Sequence, residues 1–248
     1  MTKTLLDVDK KGNPLFHAAK TSRPKYHEFP IEQTFPSQED MACEAQLSGL
    51  GTWEPLSFKI NGWEEDKVFL KNYWVPFQPR KDQFNDRESI LVYGVKDSKP
   101  DDPCGLSQLA RIYGYKPTES SMNYPTAAKD LLTCMNEVFD FFDFGRTFLV
   151  RLNTGGHYPP HRDHILLNRP TIRLIAFLGD SVSSLRWEVE DRMVQFQPNT
   201  LYYVDTRKTH RLWSSHHHST MLVCNVIKDW KNTMKILHKL KYKVNKIL

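Results

Sequence analysis

Residues 146–164 read RTFLVRLNTGGHYPPHRDH, and this stretch joins a strand-like run to a short segment rich in titratable side chains. The run at 146–153 is rich in β-branched, aromatic and aliphatic residues, which is typical of a β-strand, and the Gly-Gly pair after it indicates a turn. Pro159 and Pro160 restrict the backbone between the histidines, because the proline ring locks φ. The sequence therefore predicts that the titratable side chains at 157–164 are held in place by a stiff backbone.

His161 and Asp163 form an H-x-D pair within this segment. Residues i and i+2 of an extended chain project to the same side, so the imidazole and the carboxylate can bind one metal ion together. His210 is the best candidate for a third ligand, because it follows the strand-like run at 200–205 after a short turn. Two imidazoles and one carboxylate on one face of an ion leave three positions open, which is the facial triad of non-haem Fe(II) oxygenases. Zinc also accepts these ligands, but nothing else in the sequence suggests a hydrolase.

The other histidines near this pair receive a plainer interpretation. His157 and His164 flank the H-x-D pair, and we expect them to be outer or surface groups. The run HHH at 216–218 lies between two strand-like runs, where a solvated turn is expected. The predicted metal site is therefore limited to three residues.

Short strand-like runs separated by turn residues fill the chain after residue 146. The separators include NTGG, GDS, QPN and SSHHHS, and this spacing of short strands and turns favours a sandwich or a barrel. The runs lie at 146–153, 171–179, 184–190, 193–197, 200–205 and 220–227. Two further strands are predicted earlier in the chain, at 67–77 and 88–95.

One helix is predicted before this β-rich region. Residues 126–142 have an apolar stripe at helical spacing, and Thr126 can cap the N-terminus of the helix. We interpret the stripe as core, and it consists of Leu131, Leu132, Met135, Val138, Phe139 and Phe142.

The two ends of the chain differ from its middle. Residues 1–60 contain prolines every few positions without a clean period, and an extended N-terminal arm on the body is predicted there. Residues 61–230 are predicted to form the folded domain, with its core at 146–228, and residues 231–248 a basic C-terminal helix. The apolar residues of this helix are expected to pack on the body, while contact of its lysines with nucleic acid or a membrane surface stays open.

Composition and charge argue against some classes of protein. The 248 residues are 40% hydrophobic, which is enough for a core, and no apolar run is long enough to predict a membrane span. The N-terminus lacks the apolar region of a secretory signal, and the four cysteines are scattered without a C-x-x-C pair, so a cytoplasmic location is expected. Much of the net charge of +5 comes from the C-terminal segment, so the body gives little support to nucleic-acid binding.

The segment FLVRLNTGGHYPPHRDH, followed by TIRLIAFLG, resembles the core of the aspartyl/asparaginyl β-hydroxylase-like family. The later segment LRWEVEDRMVQFQPNTLYYVDTRKTHRLW is similar to the family's hairpin, strand, D-x-R-like turn and distal histidine. The resemblance covers about residues 146–228. It implies a mainly β fold with flanking helices, built on a double-stranded β-helix of the jelly-roll, cupin-like type. It also implies Fe(II) as the metal and 2-oxoglutarate as a small-molecule co-substrate.

The residues of the family's motif can be placed on this sequence one by one. His161, Asp163 and His210 match the family's metal-ligand positions. Arg173, on the strand after H-x-D, matches an arginine that lies in the active site of the family. A guanidinium suits a planar carboxylate through two parallel hydrogen bonds. The resemblance therefore implies an arginine beside the co-substrate or the substrate.

One position departs from the family's pattern. The family usually has a further arginine about ten residues past the distal histidine, where it binds the distal carboxylate of 2-oxoglutarate, and this chain has Thr220 there. Arg173, Arg211 or Arg151 is expected to bind that carboxylate instead, unless the co-substrate differs.

The resemblance implies a hydroxylase that acts on an aspartyl, asparaginyl or prolyl residue, or on a free amino acid. Two other classes stay open. One is a nucleobase or nucleic-acid oxygenase with the same iron centre, in which the basic tail would contact DNA. The other is a non-catalytic β-barrel that serves as a binding or assembly module, which the absence of an arginine at Thr220 favours.

Overall fold

Two antiparallel β-sheets form the centre of the protein, whose computed structural model describes residues 35–77, 87–115, 117–163, 169–215 and 218–240. The helices are α1 (Gln38–Ser48), α2 (Trp63–Phe69), α3 (Leu106–Tyr113), α4 (Ala127–Leu131), α5 (Asn136–Phe141) and α6 (Trp230–His238). The strands are β1 (Trp53–Lys59), β2 (Val75–Pro76), β3 (Arg87–Gly94), β4 (Tyr124–Pro125), β5 (Phe144–Leu152), β6 (His157–His161), β7 (Thr171–Phe177), β8 (Leu185–Val189), β9 (Arg192–Met193), β10 (Thr200–Val204), β11 (His210–Ser214) and β12 (Ser219–Ile227). Short 3-10 helical turns lie at Thr133–Met135 and Ser181–Ser183.

The chain passes back and forth between the two sheets. The larger sheet has the order β1-β10-β7-β12-β5-β3-β2, with β4 paired to β3, and the smaller sheet has the order β6-β11-β8-β9. From β5 onward, β5, β7, β10 and β12 belong to the larger sheet, and the strands between them belong to the smaller one. This alternation is that of a double-stranded β-helix, or jelly roll. The predicted fold class, mainly β with flanking helices around such a core, is confirmed.

Apolar layers cover both faces of the larger sheet. Strand β7 is buried at every position, as expected for a strand that is covered on both faces. Ile175 and Phe177 belong to the core cluster between the two sheets, whereas Ile172 and Leu174 belong to a second cluster that includes helix residues. Because alternate residues of a strand point to opposite faces, only every second side chain reaches the space between the sheets.

Most of the predicted strands are found, and one is wrong. The runs at 88–95, 146–153, 171–179, 184–190, 200–205 and 220–227 form β3, β5, β7, β8, β10 and β12 with small differences at their ends. The run at 67–77 is wrong, because it overlaps helix α2 and only Val75–Pro76 pairs as a strand. Gly62 has a φ of +97° before this helix, and three acidic residues in the first turn complement the helix dipole. The run at 193–197 contributes only to the two-residue strand β9.

The predicted helix at 126–142 is divided into two short helices. The side chain of Thr126 accepts a hydrogen bond from the backbone N–H of Ala128, so the predicted N-cap is confirmed. The backbone of Leu132 leaves the helical region, with a ψ of 63°, and a 3-10 turn then precedes α5. The apolar stripe lies in the core as predicted, although Leu131 is only half-buried.

The extended arm predicted at 1–60 is wrong over its second part, and residues 1–34 lie outside the described part of the chain. Helix α1 is capped by Ser37, and strand β1 pairs with β10. Of the five prolines that suggested an arm, four precede Ser37 and do not interrupt these elements. The fifth, Pro55, lies in β1 at the edge of the larger sheet, where a strand tolerates proline.

The helix predicted at 231–248 is shorter than expected. Helix α6 begins at Trp230 and ends at His238. The carbonyl O of Lys239 then accepts a hydrogen bond from the backbone N–H of Ser57 in β1, so the chain leaves the helix at this point. Residues 241–248 lie outside the described part of the chain. Among the described helices, α6 included, none is long and apolar enough to cross a membrane.

Candidate metal centre

His161, Asp163 and His210 come together where β6 and β11 pair in the smaller sheet. His161 ends β6, His210 begins β11, and the two residues are direct partners in the pairing. A bulge leaves an extra residue in β6, at the place where Pro159 and Pro160 lie. Prolines are tolerated at bulges and on edge strands, and β6 is an edge strand. The backbone is extended from His157 to His161, and Asp163 follows in a bend.

The donor atoms of these three side chains converge. One ligand atom from each side chain lies within 4.8 Å of the others. Nε2 of His161 is 3.7 Å from Oδ1 of Asp163, and the ring centroids of His161 and His210 are 4.2 Å apart. Nitrogen and oxygen ligands bind metal ions at about 2.0–2.2 Å, so side chains this close can share one ion. No other set of three such side chains converges in the described part of the chain.

Backbone carbonyl groups orient both imidazole rings. Nδ1 of His161 lies 2.7 Å from the carbonyl O of Pro159, and Nδ1 of His210 lies 2.9 Å from that of Lys208. A neutral ring protonated at Nδ1 donates to its carbonyl and leaves the lone pair on Nε2, as metal-bound histidines usually do. Burial lowers the pKa of His210 and outweighs the Lys208 carbonyl, which acts in the opposite direction. The lowered pKa favours the neutral form of His210, which is the form that a metal ligand needs.

An arginine fixes the carboxylate of the group. Nη2 of Arg173 lies 3.1 Å from Oδ2 of Asp163 and 3.8 Å from Oε1 of Glu119. Because the guanidinium engages Oδ2 of Asp163, Oδ1 is the oxygen that faces His161. This arrangement orients Asp163 to bind an ion through one oxygen.

A cavity of about 130 Å³ lies beside the three side chains and between the two sheets. Its apolar walls include Phe148, Ile175, Trp187, Leu212, Met221 and Val223. Arg146 and Arg173 also line it. Nε of Arg146 and Nε1 of Trp187 are buried donors that have no hydrogen-bond partner among the described residues. Buried donors are normally paired with protein, water or ligand atoms, so both groups are available to donate to acceptor atoms of a bound ligand or water.

Arg146 is a cavity residue that the sequence analysis missed. Its Nη2 lies 2.5 Å from Oε1 of Glu119. Glu119 is buried and also lies close to Arg173, so one carboxylate holds both guanidinium groups. The signal that would have found Arg146 is its two-residue spacing from Phe148 and Val150, which face the space between the sheets.

The structure places Arg151 and Arg211, both candidates for the co-substrate carboxylate, away from this cavity. Arg151 faces the other side of the larger sheet, where it pairs with Glu88 at 2.7 Å and lies over the ring of Trp74. Arg211 is exposed on the smaller sheet and pairs with Glu188 at 2.8 Å. Neither Arg151 nor Arg211 is therefore placed to bind a carboxylate in this cavity. The physical reason is that a step of one residue along a strand turns a side chain to the opposite face.

The position of the family's further arginine also faces away from the cavity. Thr220 pairs with Arg151 across β12 and β5. Leu222, two residues further on, belongs to the core cluster that includes the helices. Met221 and Val223 line the cavity instead. An arginine at 220 would therefore point away from the metal ligands in this chain. Thr220 does not line the cavity.

The other histidines of the sequence analysis do not join the group. His157 is exposed at the start of β6, and His218 is exposed before β12. His164, His216 and His217 lie outside the described part of the chain. The described histidines near the cavity are thus the two that the spacing and the resemblance selected.

The fold and the site together define a double-stranded β-helix protein with a candidate metal centre. No protein-family model matches the chain. No curated protein matches it either. Solved structures that are named as cupins are similar to parts of it.

Three solved structures illustrate this likeness. A cupin superfamily protein from Desulfitobacterium hafniense is 14% identical, with 34% of this chain and 67% of that chain covered and a TM-score of 0.27. A cupin-2 domain from Rhodospirillum rubrum is 8% identical, with 63% and 70% covered and a TM-score of 0.33. A predicted oxalate decarboxylase from Thermotoga maritima is 9% identical, with 39% and 76% covered and a TM-score of 0.28. These scores do not assign the chain to a family, and the similarity to the aspartyl/asparaginyl β-hydroxylase-like family remains a resemblance.

Proposed function

We propose that the protein is an Fe(II)- and 2-oxoglutarate-dependent dioxygenase that hydroxylates an unactivated C–H bond. The observation that carries this proposal is the convergence of His161, Asp163 and His210 at a cavity lined by arginines. Two imidazoles and one carboxylate are the protein ligands typical of Fe(II) in such enzymes, and they leave three positions for other ligands.

The three side chains fit an iron ion. Nε2 of His161, Nε2 of His210 and Oδ1 of Asp163 would bind it, because the remaining polar atoms of these side chains are engaged by backbone carbonyls and by Arg173. When bound, Fe(II) and 2-oxoglutarate supply the oxidation of the C–H bond by dioxygen, with succinate and carbon dioxide as co-products. Zinc accepts the same donor atoms, so the choice of iron depends on the anion-binding groups next to the ligands.

The charges in the cavity favour a dicarboxylate. Arg146 and Arg173 are matched by the carboxylates of Glu119 and Asp163 when nothing else is bound. A divalent cation adds two positive charges to this balanced set. Since an uncompensated charge is costly in a mostly apolar cavity, a ligand with two negative charges is favoured beside the metal.

Arg173 and Arg146 are the groups that would bind the carboxylate of 2-oxoglutarate. Arg173 keeps the function that the resemblance implied, and Arg146 adds a second guanidinium on the same side of the cavity wall formed by the larger sheet. Hydrogen bonds between a guanidinium and a carboxylate are short, strong and directional. The unpartnered Nε of Arg146 is a donor that such a carboxylate would satisfy.

Apolar side chains would keep bulk water out of this centre. The ring of Trp187 stacks on that of His210, with centroids 5.4 Å apart and an angle of 14° between the planes. Leu212, Met221 and Val223 complete this part of the wall. Excluding water strengthens the electrostatic interactions inside the cavity. These residues would therefore strengthen the binding of an anion by the arginines.

The volume of the cavity limits which of the two molecules, co-substrate or substrate, it can hold. A volume of about 130 Å³ is well below the roughly 300 Å³ at which pockets for drug-sized ligands begin. The cavity would therefore hold the small co-substrate, and a larger substrate would approach from outside. As the resemblance implies, we propose an aspartyl, asparaginyl or prolyl residue, or a free amino acid, as that substrate.

Titration calorimetry with Mn(II) or Fe(II) under nitrogen tests this function. We expect one metal ion per chain, and 2-oxoglutarate binding that requires the metal. Admission of oxygen to the Fe(II) complex should then produce succinate, even without substrate. For a variant that lacks the ligand His161, the matched control is His157→Ala, because His157 is an exposed histidine of the same strand, β6.

Two results would contradict the proposal. A wild-type protein that binds no divalent metal would favour the non-catalytic barrel. A protein that binds metal but shows no metal-dependent affinity for 2-oxoglutarate would point to a metal site with a different co-substrate or none.

A further inference from the structure

Buried charged side chains connect helix α1 to both segments that carry the candidate metal ligands. Glu44 of α1 is buried, and its carboxylate accepts hydrogen bonds from Arg169 and Arg207. Arg169 lies six residues after Asp163, and Arg207 lies three residues before His210. The side chain of Glu44 therefore contacts one arginine near Asp163 in the sequence and another near His210.

Three cationic side chains surround the carboxylate of Glu44. Nε and Nη2 of Arg169 lie 2.8 and 3.4 Å from its two oxygens. Nη1 of Arg207 lies 2.6 Å from Oε2, and Nζ of Lys228 lies 3.5 Å from Oε1. A buried network of charges is stable only when each charge keeps its partners. Removing the carboxylate would therefore loosen the arginines that it holds.

The network continues to the backbone of a metal ligand. Arg207 holds Asp205 through two hydrogen bonds of 2.7 and 3.0 Å. Between them in the sequence, Thr206 accepts a hydrogen bond through its carbonyl O from the backbone N–H of Asp163, at 2.8 Å. The turn at 205–207 is thus fixed on one side by Glu44 and fixes Asp163 on the other.

We propose that Glu44 is a positioning residue of the metal centre, which holds the turn at 205–207 against the H-x-D segment so that Asp163 stays beside His210. This inference rests on the proposed metal site and deepens it, since it assigns a function in that site to a helix outside the barrel. Glu44 and Arg169 are 125 residues apart in the sequence. Only the fold brings them together.

A second buried carboxylate provides a matched control. Asp66 of α2 is as buried as Glu44, and it accepts hydrogen bonds from Oγ1 of Thr133 at 2.8 Å and from the N–H of Cys134 at 2.7 Å. None of these contacts involves a segment next to a metal ligand. A loss of stability shared by Glu44→Gln and Asp66→Asn would therefore report burial, and a loss of Mn(II) affinity found only in Glu44→Gln would report positioning.

Three measurements on the full chain test the inference: thermal unfolding, Mn(II) affinity by calorimetry, and hydrogen exchange of the Asp163 amide in the metal-free protein. We expect Glu44→Gln to weaken Mn(II) binding by roughly ten-fold, the lower end of the range for groups that support metal ligands. It should also speed exchange of the Asp163 amide. Asp66→Asn should lower the melting temperature without either effect. Glu44→Asp keeps the charge but is shorter, so it should fall between wild type and Glu44→Gln.

The outcomes separate this inference from the proposed function. Equal Mn(II) affinity and equal Asp163 exchange in Glu44→Gln and Asp66→Asn would overturn the positioning function while leaving the metal site intact. If the wild-type protein binds no Mn(II), the proposed function fails, and exchange of the Asp163 amide still decides whether Glu44 holds this segment. Should Glu44→Gln not fold, Glu44→Asp is measured against the same criteria, and wild-type values for it would overturn the inference.

Discussion

The two sheets of the barrel differ in burial and in what they contribute to the candidate site. Strands β7 and β10 of the larger sheet are buried at every position, whereas every residue of β6 in the smaller sheet is exposed or half-buried. The larger sheet supplies Arg146 and Arg173, and the smaller sheet supplies His161 and His210. The groups that would bind an anion therefore lie on the buried sheet, where electrostatic interactions are strong.

The two sheets should therefore contribute differently to stability and to ligand binding. The imidazole groups lie on the smaller sheet: His161 ends β6, which has no buried residue, whereas His210 is buried beside the cavity. Substitutions in the smaller sheet should therefore change metal binding most, and substitutions in the larger sheet should change stability or anion binding most. The predictions below test this separation.

His210→Ala should have the largest effect, because it removes a direct ligand from a group of three. Loss of an outer supporting group typically costs about 10- to 100-fold in metal affinity, so loss of a ligand should cost more than that. Calorimetry with Mn(II) measures it, and His157→Ala should leave the affinity unchanged. Tight binding by His210→Ala would show that His210 is not a ligand.

Leu174→Ala should reduce the free energy of unfolding without removing the metal site. Leu174 is fully buried between the larger sheet and the helices, and such truncations typically cost about 2–5 kcal/mol. Denaturant unfolding measures the loss, and Mn(II) affinity of the folded protein should stay within a few-fold of wild type. A large change in metal affinity would show that the two sheets are not separable in this way.

Arg146→Met and Arg173→Met should each weaken binding of 2-oxoglutarate to the Mn(II) protein. A hydrogen bond to a charged group contributes about 1.5–3 kcal/mol, so each dissociation constant should rise roughly ten- to a hundred-fold. Arg151→Met is the matched control, because Arg151 lies on the same strand as Arg146 but faces the other side. An unchanged constant for either cavity arginine would remove it from the anion site.

Acid should destabilise the protein through Asp205. Burial alone would raise the pKa of Asp205, but its hydrogen bonds and ion pair with Arg207 outweigh burial and lower the pKa below its ordinary value of 3.8. Stability that depends on the ionised form is therefore present above pH 3.8 and is lost as the pH falls through the lowered value. Unfolding free energies from about pH 5 downward measure the loss. Asp205→Asn should be less stable at neutral pH and should show a shallower decline over this range.

Thr220→Arg should have the smallest effect on the site. Thr220 alternates with the cavity residues Met221 and Val223 on β12, so an arginine there would not reach the co-substrate. The dissociation constant of 2-oxoglutarate should stay unchanged. A clear gain in affinity would show that the side chain does reach the cavity, and that the family's arginine position is intact in this chain.

Much of the barrel could be predicted because its strands have strong local signals. The runs that became β5, β7, β10 and β12 combine apolar residues with turn residues at their ends. The run at 67–77 was misread because its apolar and aromatic residues are compatible with both a helix and a strand. Helix α2 begins before this run, at Trp63, whose side chain is buried in the core, and the run itself does not report that contact.

Part of the candidate site could also be predicted, because it too depends on local spacing in the sequence. His161 and Asp163 are two residues apart, so an extended backbone alone is enough to bring them to one side. Spacing puts Arg146 on the same face of its strand as Phe148 and Val150, and Arg151 on the opposite face. Which of these faces lines the space between the sheets is decided only by the pairing of the strands.

The sequence by itself determined the residue types and their local geometry: apolar strand-like runs that end in turn residues, and a proline-stiffened H-x-D pair. The tertiary structure decided which side chains meet. It paired His161 with His210, placed Glu119 between Arg146 and Arg173, and set Glu44 of α1 against the turn before β11. The physical reason is that local spacing constrains neighbours within a few residues, whereas contacts across a barrel depend on the burial of whole sheets and on the pairing of their strands.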